Sequence, residues 1–206
     1  MCPIPKAILI THAHEDHVGW LKVQEPPVSV WAKPSDWEIM KNFPVPKDKR
    51  RVFNPRKNFS VAGVKIEPFF VPHSLTAPMT GFRFPEDNLV YVPEIGAFTK
   101  DLKNAVRGAD LVIADGSSLK RDIKTRRLQQ HKSILKQLSF FRPLNIKFVV
   151  FTHIGHESQM PHEQLEMYVD REAKRMGCPF QVAIAWDGMK ITVGEESGTE
   201  EQRKVS

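Results

Sequence analysis

Short apolar runs rich in Val, Ile and Phe recur along the chain, separated by stretches in which apolar residues return every three or four positions. The first pattern predicts buried strands and the second amphipathic helices, and their alternation marks a mixed α/β layered architecture. Strands are predicted near Ala7–Ile10, Val28–Ala32, Val64–Val71, Thr80–Phe84, Leu89–Val92, Leu111–Ala114, Phe148–Phe151, Gln181–Ala185 and Lys190–Val193. Helices fit between them at His17–Leu21, Ser35–Asn42, Thr99–Val106, Lys132–Phe141 and His162–Met176. Ser35 and Thr99 are the expected N-caps, and Gly177 is the expected stop of the last helix. The 206 residues suffice for one sizeable core, and no Pro/Gly/Ser-rich linker divides them. A single domain over residues 1–193 with a polar tail over 194–206 is expected.

Metal-type residues fall where these predicted strands end. His73 follows Phe69-Phe70-Val71-Pro72, Glu94 follows Val90-Tyr91-Val92-Pro93, Asp115 follows Leu111–Ala114, and His153 follows Val149-Val150-Phe151-Thr152. Strand ends on one rim of a layered sheet can converge on one pocket. The densest group is Thr11-His12-Ala13-His14-Glu15-Asp16-His17, directly after an apolar strand. In an extended loop His12 and His14 point to one side, while Asp16 and His17 fold back at the start of a helix and face a second position. One loop can therefore feed two metals. Imidazole nitrogen with carboxylate oxygen suits Zn²⁺, Mn²⁺ or Fe, and the absence of cysteine from the loop argues against a closed structural zinc site. The plain alternative is a polar loop that happens to be rich in histidine.

Composition narrows the setting. A formal charge of +6 and a pI near 9.3 favour an anionic partner, either a small phosphorylated molecule or nucleic acid. Lys47, Lys49, Arg50 and Arg51 form one basic cluster, and Lys120, Arg121, Lys124, Arg126 and Arg127 form a second ahead of His131. Either can be an ordinary solvated face; the second is the better candidate for substrate binding. Cys2 and Cys178 stand far apart, which argues against a disulfide framework and for a reducing compartment. No apolar run is long enough for a bilayer and no leader-like segment opens the chain, so a cytoplasmic protein without membrane contact is expected.

His12-Ala13-His14-Glu15-Asp16-His17 resembles the signature of the metallo-β-lactamase-fold hydrolases, nearest in its motifs to the ribonuclease Z and cyclic phosphodiesterase branch. The resemblance runs from about Lys6 to Val193 and implies an α/β fold, a metallo-β-lactamase-like αββα four-layer sandwich. It is shortened at the N-terminus, since only eleven residues precede His12 where family members have several dozen. An open strand edge there makes a homodimer the expected assembly. The resemblance also implies two divalent metal ions per chain, Zn foremost with Mn or Fe as alternatives. His12, His14 and His73 would hold the first, and Asp16, His17 and His153 the second. Glu94, in Tyr91-Val92-Pro93-Glu94, stands where the family has a bridging aspartate, and its extra methylene changes the reach. Asp115 and His131 resemble the acid and histidine that form a catalytic pair in that branch, so Asp16, Asp115 and His131 are the expected catalytic groups. His156 is read as exposed. The implied activity is metal-dependent hydrolysis of a phosphodiester by an activated water, with His131 protonating the leaving oxygen. Hydrolysis of a lactam, lactone or thioester, a nuclease activity, and a metal-binding scaffold without turnover are the alternatives.

Overall fold

The structure is a computed structural model that describes residues 5–124, 130–155 and 160–193. Cys2, Arg126, Arg127, His156 and the tail from Gly194 lie outside the described residues. Strand β1 (Ile8–Leu9) opens the described chain and runs into the histidine loop, α1 (Glu15–Val18) and a 3₁₀ turn over Gly19–Lys22. Strand β2 (Val30–Ala32), helix α2 (Pro34–Ile39) and strand β3 (Arg50–Val52) follow. These three strands form a small parallel sheet in the order β1-β2-β3, with Ile8 opposite Val30 and Val30 opposite Arg50.

An antiparallel meander comes next: β4 (Phe59–Val61), β5 (Val64–Val71), β6 (Met79–Phe84) and β7 (Leu89–Tyr91). Helix α3 (Lys100–Val106) leads to β8 (Leu111–Asp115), and a short antiparallel ladder of β9 (Ile123–Lys124) and β10 (Gln130–His131) stands apart. Helix α4 (Ile134–Phe141), β11 (Phe148–Thr152), α5 (His162–Arg175) and β12 (Gln181–Ile184) complete the chain. Among the described residues the large sheet has seven strands in the order β12-β11-β8-β7-β6-β5-β4, antiparallel through the meander and parallel from β7 to β12.

Alternation of side chains across the strands builds four layers. On the outer face of the small sheet, Ile10, Val30 and Ala32 pack with Val18, Leu21, Trp37 and Met40 of the first two helical segments. Between the sheets, Leu9 and Trp31 meet Phe53, Phe59, Ile66 and Phe82. On the far face of the large sheet, Val71, Val112, Ala114 and Val149 pack under Leu102, Leu138, Phe141 and Val169 of α3, α4 and α5. Burying each large side chain of this kind stabilises the fold by about 1.5–3 kcal/mol. The arrangement is the αββα sandwich. Strand β8 reads as an unbroken apolar run because both of its faces are covered, Leu111 and Ile113 on one side and Val112 and Ala114 on the other.

Three expectations are corrected. Lys190–Val193 forms no strand; Met189, Ile191 and Val193 pack against the sheet face through their side chains, which produces the same alternation without a ladder. Helix α2 starts at Pro34 with Lys33 as N-cap, not at Ser35, because proline's fixed φ suits the first helical position. Strands β3, β4, β9 and β10 were not predicted from the pattern. In β3 both Arg51 and Val52 are exposed, so no apolar period marks it.

Candidate metal centre

The loops that follow β1, β5, β7, β8 and β11 meet on one rim and bring their polar side chains together. The donor atoms of His12, His14, His73 and Glu94 all lie within 4.8 Å of one another, as do those of Asp16, His17, Glu94 and His153. In the first group His12 Nε2 is 2.8 Å from His14 Nδ1 and 2.9 Å from Glu94 Oε2, and His73 Nε2 is 3.3 Å and 3.4 Å from the same two atoms. In the second, Asp16 Oδ2 is 3.1 Å from His153 Nε2 and 3.5 Å from His17 Nε2, and Glu94 Oε1 is 3.4 Å from His17 Nε2 and 3.6 Å from His153 Nε2. Glu94 therefore turns one oxygen to each group. A third group, Asp115, His131 and His153, adjoins the second.

The donor set fits divalent cations. Among the described residues, Glu94 Oε2 and His17 Nε2 are buried and have no hydrogen-bond partner. Buried polar atoms left in that state cost free energy, and a cation in each group would satisfy one of them. Burial lowers the pKa of His12 to about 4, with Glu94 pulling against it and His17 and His14 adding to it. Burial, with His73 nearby, also lowers His14, and burial lowers His73, so all three favour the neutral form that ligates metal. Burial would raise Glu94, but His12 and His17 outweigh it and hold the carboxyl well below the usual carboxylate range. Burial lowers His17, while Glu94 and Asp16 overcome it and raise the net value.

The two groups differ in access. His12 is fully buried and Glu94 is 2% exposed, whereas the side chain of Asp16 is 60% exposed. Solvent and substrate can therefore reach the site over Asp16.

Backbone contacts hold the loops in this arrangement. Gly96 N–H donates to Pro72 O at 2.7 Å, and a Cβ on Gly96 would stand 2.3 Å from that oxygen, so only glycine lets the loops of Glu94 and His73 approach so closely. Strand β10 is laced between them: Gln130 N–H donates to His73 O, Lys132 N–H donates to Ile95 O, and His73 Nδ1–H donates to Gln130 O. This lacing sets His131 beside the clusters, its ring centroid 4.7 Å from that of His73 and 5.9 Å from that of His153. Beneath the histidine loop, the buried Lys33 Nζ donates to Thr11 O at 3.2 Å and to Asp36 Oδ2 at 2.6 Å. Burial pushes the Asp36 carboxyl up to about 6 and the Lys33 amine down, each against the pull of its partner.

Residues 2–154 match the family described as the beta-lactamase superfamily domain. The chain belongs to the metallo-β-lactamase superfamily. Its structure superposes on a diphosphatase of the PhnP family with a TM-score of 0.66 and 21% identity, covering 90% of this chain and 70% of that one. It superposes on Zn²⁺-bound PqqB from Methylobacterium extorquens with a TM-score of 0.68 and 20% identity, covering 91% and 73%. At such identities the likeness is one of fold. In sequence the chain is 23% identical over 155 residues to the exodeoxyribonuclease YycJ of Bacillus anthracis, covering 72% of this chain and 53% of that protein. It spans about half the length of the curated relatives it matches.

For this superfamily member the structure brings together every residue singled out in the sequence as a ligand or catalytic group. Sequence reasoning missed Lys33 and Asp36, which support the histidine loop, and Ser117, which touches Asp115 and His153. Ser117 could have been noticed from the spacing Asp115-Gly116-Ser117, whereas nothing marks Lys33 and Asp36 except their place after β2. A groove of 810 Å³ lined by Lys33, Phe70, Met79, Arg83 and Asp101 runs along β5 and α3, and it contains none of the clustered histidines. Concavity alone therefore does not locate the chemistry; the converging donors do.

Proposed function

We propose that this chain is a metal-dependent phosphodiesterase with two metal positions. His12, His14 and His73 hold the first, Asp16, His17 and His153 the second, and Glu94 spans them. Zn is the favoured ion for this donor set, with Mn or Fe as alternatives. When bound, such ions lower the pKa of a water and offset the charge that builds on phosphoryl oxygens.

The observation that carries the reading is the pair Asp115 and His131. His131 Nδ1–H donates to Asp115 Oδ2 at 3.1 Å, which leaves Nε2 free beside both histidine groups. Burial lowers the pKa of His131, but the hydrogen bond and charge of Asp115, with Glu94 and Asp16 behind them, outweigh it and raise the net value. An imidazole held in this way, its protonated form favoured by Asp115, suits proton delivery from Nε2 to a departing alkoxide, a need of phosphodiester cleavage. His131→Ala is expected to lower kcat for bis-p-nitrophenyl phosphate by about 100-fold or more. Retained phosphodiester turnover in that variant would contradict the reading; if p-nitrophenyl acetate were also hydrolysed as before, lactam, lactone or thioester hydrolysis would take its place.

A nuclease is the second reading. The matched relatives are named exodeoxyribonucleases, and exposed Lys120, Arg121 and Lys124 stand on the approach to the β9–β10 ladder, next in the chain to the loop of Asp115. Hydrolysis of DNA whose affinity falls steeply with salt would support it. We read residues 1–193 as one hydrolase domain. A homodimer through the edge of β1 that has no neighbour among the described residues, and a reducing cytoplasmic setting in keeping with the free Cys178, belong to the same proposal. Among the described residues no helix is long and apolar enough to cross a membrane.

A further inference from the structure

We infer that Ser117 is a positioning residue which, fastened to Asp115, fixes the tautomer of His153 and presents its Nε2 lone pair to the second metal position. The inference rests on the dinuclear reading above for its metal, though not for its hydrogen bonds.

Asp115 is fully buried, and its two carboxylate oxygens accept from four donors. Oδ2 accepts from Ile95 N–H at 2.8 Å and His131 Nδ1–H at 3.1 Å, while Oδ1 accepts from Ser117 N–H at 2.9 Å and Ser117 Oγ–H at 2.6 Å. A serine hydroxyl has a single proton, and here Asp115 takes it. Ser117 Oγ also lies 2.8 Å from His153 Nδ1, and toward that nitrogen it can only accept. His153 Nδ1 must then carry a proton, which makes Nε2, hydrogen-bonded to Asp16 Oδ2 at 3.1 Å and 3.6 Å from Glu94 Oε1, the nitrogen whose lone pair a metal would take. One carboxylate thus sets both imidazoles: His131 directly and His153 through Ser117.

The backbone agrees with a ring that must be aimed. His153 has φ +56°, a left-handed conformation that is unfavourable for a non-glycine residue and persists only where neighbours enforce it. Gly116 N–H donates to Thr152 O at 2.6 Å, and a Cβ on Gly155 would stand 2.2 Å from Ser117 O. The two loops are interlocked on either side of the hydrogen bond between Ser117 and His153. Groups that orient a ligating histidine through its second nitrogen typically change metal affinity by about 10–100-fold when removed.

Two measurements test this. Nitrogen NMR of the metal-free wild-type protein is expected to show a proton on His153 Nδ1, and an unprotonated Nδ1 would overturn the inference whatever the metal chemistry. Zn²⁺ titration against a chromophoric chelator is expected to give two affinities in the wild type. In Ser117→Ala one should weaken by about 10–100-fold while the other stays within about threefold, and Ser117→Thr, which keeps the hydroxyl, should stay within about threefold for both. Two unchanged affinities in Ser117→Ala, or an equal loss in both, would overturn the inference. A wild-type protein that takes up no metal would defeat the dinuclear reading instead, and the tautomer would still decide the role of Ser117.

Discussion

Glu94 carries the heaviest electrostatic demand of any residue in the site. Its side chain is buried with four histidines around it, and its negative charge is the one feature that both donor groups share. Glu94→Gln keeps the volume and one oxygen but removes that charge. We expect it to lower the affinity of at least one metal position by about 100-fold or more, measured by competition with a chelator, since a charged ligand is lost and not merely an orienting contact. Two unchanged affinities would mean that Glu94 is not a ligand. The glutamate was visible in the sequence as a departure from the aspartate of related chains, and the structure shows how its longer side chain spans the gap with Oε2 toward His12 and His73 and Oε1 toward His17 and His153. The tetrad His12, His14, Asp16 and His17 was legible because its four donor side chains come from one short loop after a strand, a concentration that side-chain alternation turns directly into geometry. The link between Ser117 and His153 was not, because the two lie 36 residues apart and only the pairing of β8 with β11, Asp115 opposite Thr152, brings their loops side by side.

At the level of elements, the β9–β10 ladder decides where His131 stands, and Asp122 closes it. Immediately before β9, Asp122 accepts from Lys132 Nζ at 2.8 Å, Lys136 Nζ at 3.0 Å and Ser133 N–H at 3.1 Å, tying the ladder to the start of α4. Burial would raise the Asp122 carboxyl, but Lys132, Lys136 and the Ser133 amide outweigh it and hold it well below the usual carboxylate range. A depressed folded-state pKa gives stability that is present above the unfolded value of about 4 and lost as pH falls below it. Asp122→Asn should therefore be less stable than wild type by about 1 kcal/mol near pH 7, a figure kept small because the lysines are partly solvated. The gap in urea midpoint should narrow below pH 4; a gap that stays constant down to pH 3 would contradict the assignment. This ladder was not readable from the sequence. It is two residues long on each side, Gln130 is polar, and the pairing depends on backbone bonds to the loops of His73 and Glu94 rather than on an apolar period. Long strands with covered faces, such as β5 and β8, were readable, and β5 has the predicted bounds Val64–Val71. Lys190–Val193 shows the limit of that logic, since buried alternate side chains do not by themselves recruit a backbone partner.

For the whole molecule, two sheets enclosed by helices leave one rim on which five loops meet, and the charge is arranged to match. The buried His12 and His73 and a shared glutamate occupy the interior, the more exposed Asp16 faces the approach, and exposed lysine and arginine side chains flank the loop of Asp115. Superfamily membership fixes the fold and the hydrolytic frame, while the substrate depends on how this rim is used. The most direct test of the central claim is metal content per chain by elemental analysis of protein purified without added metal, paired with bis-p-nitrophenyl phosphate hydrolysis before and after chelation. About two metals per chain, with turnover that chelation abolishes and Zn²⁺ or Mn²⁺ restores, is the expected result for a centre of this donor count. Protein that holds no metal, and shows no turnover when either ion is supplied, would contradict it.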